Sequence, residues 1–116
     1  MEGSYVLRNG EHNWIPMSNG VRFSYLRKNR GEFSVLLKME AEGRLPIHEH
    51  IGGEEFFVVE GDVELDGHSL HQGDYFYAPP GVNPVVQTRY GCTLLITSAR
   101  GVESAAGKER VEATTT

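Results

Sequence analysis

Two histidines one residue apart, His48 and His50, and a glutamate four residues further on, Glu54, are the side chains of this chain best suited to chemistry. Alternate side chains of an extended strand point to one side, so the two imidazoles can grip a single object. Glu54 follows the Gly52-Gly53 turn and heads the apolar run Phe56-Phe57-Val58-Val59, so a hairpin would return its carboxylate to the same point. Two neutral nitrogens and one anionic oxygen form a set that divalent iron, zinc, nickel or manganese accepts. Glu55 faces the other way on an extended chain.

Such a set needs strands to hold it. Short runs rich in Val, Phe, Tyr, Ile and Leu recur along the chain, separated by Gly, Pro, Asn or Asp, a rhythm that predicts an all-β sandwich or barrel. The expected strands are 5–8, 21–28, 33–40, 46–50, 54–60, 63–65, 68–70, 75–78, 84–88 and 92–98, with turns at Asn29-Arg30-Gly31, Asp66-Gly67, Gln72-Gly73-Asp74 and Tyr90-Gly91. No window has convincing helical period, caps and length. Phe56 and Val58 share the parity of Glu54, and with Tyr75 and Tyr77 they are expected to line an apolar pocket. Trp14 is expected to plug one end of the barrel or a contact between subunits, and His68 and His71 to be exposed on a hairpin. Residues 1–100 read as one barrel with an N-terminal strand arm, and 101–116, small and polar, as a flexible tail.

Composition narrows the function classes. At 116 residues the chain has the size of a single domain able to bury a core without disulfide or zinc staples. A net charge of -5, with both signs interspersed, argues against a nucleic-acid surface. The single cysteine, Cys92, reads as a buried thiol, and no signal segment or long apolar run is present, so a cytoplasmic protein without a membrane partner is the expectation.

The motifs resemble those of the cupins, small double-stranded β-helix (jelly-roll) barrels with a metal inside. Gly43, His48, His50, Glu54 and Gly61 fill the family's first motif, with one residue fewer than usual between Gly43 and His48. Gly73, Pro79 and Gly81 match the second, but its final histidine is replaced by Pro84. Within the superfamily, His50-Ile51-Gly52-Gly53-Glu54-Glu55, Gly73-Asp74-Tyr75, Pro79-Pro80-Gly81 and Gly91-Cys92, with Trp14-Ile15-Pro16 upstream, are similar to the ChrR-type cupins, named for the cupin domain of an anti-sigma factor.

The resemblance implies a barrel metal held by His48, His50 and Glu54, with the fourth ligand missing because proline offers no side-chain donor. Three outcomes stay open. The metal persists on three ligands with free positions for substrate or dioxygen, or Asn83 or Gln87 substitutes through an amide oxygen, or the site is metal-poor. The resemblance implies a metal-binding cupin that takes a small organic ligand, as a non-haem metal dioxygenase or, alternatively, as a non-catalytic ligand or oxidative-stress sensor with a regulatory protein partner. No separate acid, base or nucleophile is evident, so the catalytic residues are unknown. A bacterial homodimer, formed through a strand over Tyr5-Val6-Leu7-Arg8, is the expected assembly.

Overall fold

The computed structural model describes residues 3–18, 20–46, 53–82 and 84–98. Among the described residues nine antiparallel strands follow a 3-10 turn at Asn9–Glu11: β1 Ile15–Ser18, β2 Val21–Asn29, β3 Glu32–Met39, β4 Arg44–Pro46, β5 Glu54–Leu65, β6 His68–His71, β7 Tyr75–Ala78, β8 Val85–Gln87 and β9 Cys92–Ser98. Among the described residues there is no α-helix, and no helix long and apolar enough to cross a membrane. The strands form one curled sheet in the order β1-β2-β3-β9-β5-β8-β4, with β6 and β7 also paired to β5. It is the all-β, cupin-like half-barrel that the strand rhythm and the motifs predict.

Local chemistry explains the joints. The two-residue turns Arg30-Gly31 and Asp66-Gly67, with both φ angles positive, close the β2–β3 and β5–β6 hairpins, as hairpin twist favours. At Tyr90-Gly91 the Asp62 carboxylate accepts from the Arg89 and Tyr90 amides at 3.2 Å each, so β5 ties down the loop that leads into β9.

β5 is the spine of the fold. Its first half pairs with β9 and β7, its second half with β6 and β8. A bulge at Val59 inserts one residue against β9, between the rungs Val58–Leu94 and Glu60–Thr93. Gly61 follows at φ 90, where an added Cβ would collide with the Gly91 carbonyl oxygen, so only glycine fits. Phe56 and Val58 point inward before the bulge and Val63 and Leu65 after it, all of them buried. With Leu37, Leu94, Ile96 and Val86 they make the core. Each such side chain stabilises the fold by roughly 1.5–3 kcal/mol.

Several expected elements differ. Residues 5–8 form no strand; Tyr5 instead donates its hydroxyl to the Leu26 carbonyl at 2.6 Å. The first strand is Ile15–Ser18, an exposed edge, where proline is tolerated. The separate strands expected at 54–60 and 63–65 are one bulged strand. The rest of the expected strand 46–50, and the tail 101–116, lie outside the described residues.

Candidate functional site

Glu54 opens β5 on its inward face and is 5 % exposed. It pairs across the sheet with Ala78 of β7 and shares its face with Phe56 and Val58. Burial pushes its carboxyl up to about 8, because desolvation penalises the charged form. Two contacts fix its lead-in. The buried Ser98 hydroxyl donates to the Gly53 carbonyl at 3.0 Å, and Gly53 packs so closely that a Cβ would lie 2.7 Å from the Ala78 carbonyl oxygen. Nothing in the sequence distinguishes Ser98 from any other strand serine; of this contact, only Gly53 stands out in the sequence.

His48 and His50 lie outside the described residues, as does Asn83. Among the described residues no group of three His, Cys, Asp or Glu side chains is close enough to hold a metal ion. Glu54 itself fits a metal, since a carboxyl on the inner wall is an oxygen donor of the kind divalent ions take.

Pro84, at the position of the family's last ligand, is buried two residues before the inward Val86. Gln87 is exposed and pairs with Arg44 and Glu64, so it does not face the interior and cannot replace that ligand. Tyr75 and Tyr77, expected to line the pocket, stand on the outer face: they pair with Phe57 and Glu55, are 54 % and 48 % exposed, and leave Phe76 to turn inward. The reason is register, since β7 must present Phe76 beside Phe56, their rings 6.0 Å apart.

His68 continues this inner aromatic file at 5.9 Å from Phe76, although its side chain is exposed. His71 is exposed at the end of β6. Burial pushes the Cys92 thiol up to about 11, which keeps it protonated and unreactive at neutral pH. Trp14 plugs no barrel end. It lies against the outer face, with Arg22 at 5.7 Å and Lys38 at 5.0 Å from its ring, and His12 beside it at 5.7 Å. An open groove of about 720 Å³ also lies on the outside, lined by Arg22, Lys38, Glu60, His71 and Tyr90 among others; it does not contain Glu54.

The sequence pattern of the ChrR Cupin-like domain matches residues 2–100. The chain belongs to the ChrR-type cupins. Solved structures place this cupin in the same fold. It is similar to the anti-sigma factor ChrR, solved in complex with SigE from Rhodobacter sphaeroides, with 22 % identity over 78 % of this chain and a TM-score of 0.70. There it spans 50 % of the ChrR chain. An RmlC-like cupin from Shewanella frigidimarina is 23 % identical over 88 % of this chain and 96 % of its own, with a TM-score of 0.74. An acetylacetone dioxygenase from Acinetobacter johnsonii is 15 % identical over 85 % of this chain and 74 % of its own, with a TM-score of 0.69. No curated protein matches this cupin's sequence.

Proposed function

We propose that this chain is a small metal-binding cupin that encloses a small organic ligand in its barrel and acts on it as a non-haem metal dioxygenase. The observation that carries the reading is Glu54, a carboxyl buried on an apolar wall. A carboxylate there is costly unless a cation offsets it, and a divalent ion would return Glu54 to its charged form. His48 and His50 would complete a two-histidine, one-carboxylate set. Bound there, iron, zinc, nickel or manganese supplies Lewis acidity and, for iron, dioxygen chemistry.

The chain's own residues do the remaining work. Ser98 and Gly53 fix where Glu54 enters the wall, and Phe56, Phe76 and Val58 exclude water and favour an apolar ligand. Pro84 brings apolar bulk and no donor where the family motif has histidine. That favours a ligand with two oxygens, such as a diketone or a catechol, to fill the positions a fourth protein ligand would have taken.

Dialysis against each metal followed by elemental analysis tests the binding, with about one ion per chain expected. His48→Ala and Glu54→Ala are expected to lose it. A wild type without stoichiometric metal, or His48→Ala binding equally well, overturns the reading. Oxygen uptake by the iron-loaded protein across a panel of diketones and catechols tests the activity.

A second reading is a ligand or stress sensor that signals to a regulatory protein. Its support is the likeness to the anti-sigma factor ChrR. Metal and ligand binding without oxygen uptake on any compound of the panel would favour it.

A further inference from the structure

The register puts the two histidines of β6 on opposite faces of the sheet. Residues directly opposite on paired strands share a face; His68 pairs with Leu65, and Leu70 with Val63. Leu65 and Val63 belong to the core, so His68 is on the inner face, whereas His71 pairs with Asp62 on the outer one. An inward side chain that is nonetheless exposed lies where the barrel opens. Among the described residues no group hydrogen-bonds its imidazole, so its N–H is available to something else.

What it touches is Phe76 on the facing wall, with ring centroids 5.9 Å apart. Phe76 meets Phe56 at 6.0 Å and is its partner across β7 and β5. The three rings run from the fully buried Phe56 through the half-buried Phe76 to the exposed His68, a file from core to solvent. Glu54 and Ala78 form the neighbouring inward pair, which makes Glu54 a diagonal neighbour of Phe76, about 7–8 Å away. Glu54 and His68 thus flank the same phenylalanine, and a molecule with a single six-membered ring can touch both.

We propose that His68 is a specificity-determining residue of the barrel: its imidazole donates a hydrogen bond to an acceptor on the end of the ligand remote from Glu54, while the flat face of the ligand lies on Phe76. The ligand class this fits is a planar diol or diketone of about one ring that carries a carboxylate or carbonyl opposite its two chelating oxygens. The inference rests on the metal-held ligand of the proposed function and adds what chooses among such ligands. A site that supplies a donor discriminates against a ligand with nothing to accept it, because the donor is then left without a partner.

Calorimetric titration of the zinc-dialysed full chain with catechol and with protocatechuate, which is catechol carrying a carboxylate remote from its diol, tests it. Wild type is expected to bind protocatechuate about tenfold more tightly than catechol. His68→Ala is expected to bind the two alike, with its catechol affinity and zinc content unchanged, and His68→Gln, which keeps a donor, to recover part of the preference. His71→Ala, on the outer face, is expected to match wild type. Binding of both compounds with the same ratio in His68→Ala as in wild type overturns the inference and leaves the metal-held ligand standing. So does a wild type without preference for protocatechuate, or a His68→Ala variant that no longer holds zinc. A zinc-dialysed wild type that binds neither compound overturns both.

Discussion

β5 begins with three doubled residues, Glu54-Glu55, Phe56-Phe57 and Val58-Val59, and the sheet sends one member of each pair inward and the other out. Glu54 is 5 % exposed while Glu55 lies in solvent and accepts from the Tyr75 hydroxyl at 3.0 Å. Phe56 and Val58 are fully buried; Phe57 and Val59 are 42 % and 40 % exposed. Composition is identical on the two faces, so every difference in behaviour comes from environment. The inner carboxyl is pushed up to about 8 by burial, whereas the outer one lies at the surface in a hydrogen bond.

The comparison breaks most severely at the glycine that ends it. Gly61→Ala forces a Cβ onto the Gly91 carbonyl oxygen at a positive φ, and is expected to cost about 4 kcal/mol or more by urea denaturation. Phe56→Ala should cost about 3–5 kcal/mol, while Phe57→Ala costs about 1 kcal/mol or less. Equal losses in the two phenylalanine variants would show that the outer face is as well packed as the inner.

The inner glutamate responds to pH. Glu54 has a folded value of about 8, above its ordinary 4.5, so the folded state holds this proton more tightly than the unfolded chain. Its contribution to stability is complete below about 4.5 and is lost as the pH rises through about 8. Metal-free wild type should therefore lose about 2–4 kcal/mol between pH 4.5 and 9 relative to Glu54→Gln. Thermal melts of both across that range check it. The smallest contrast is Val58→Ala against Val59→Ala, about 2 kcal/mol against about 0.5 or less in the same denaturation assay.

Much of this was legible before any coordinates. The alternation of β5 placed Glu54, Phe56 and Val58 on one face, and the motifs carried the fold. What alternation cannot supply is which face turns inward, or how one strand sits against the next. Tyr75 and Tyr77 obey the same period as Phe76; only the pairing of Phe76 with Phe56 decides that the tyrosines go out. Gln87, three positions from Pro84, was excluded by parity alone, and its amide made it look eligible nonetheless. Ser98 became visible only through its long-range bond to Gly53.

The extra residue at Val59 has a consequence for anyone who edits this chain. β5 is read in two frames, with even-numbered side chains facing in up to Val58 and odd-numbered ones from Val63 onward. Deleting Val59 would remove the bulge and leave one unbroken alternation, with Val58, Val63 and Leu65 still facing in and Asp62 and Glu64 still facing out. Deleting Asp62 instead, where no residue is spare, would swing Val63 and Leu65 into water and draw Glu64 into the core, a rewrite of half the strand.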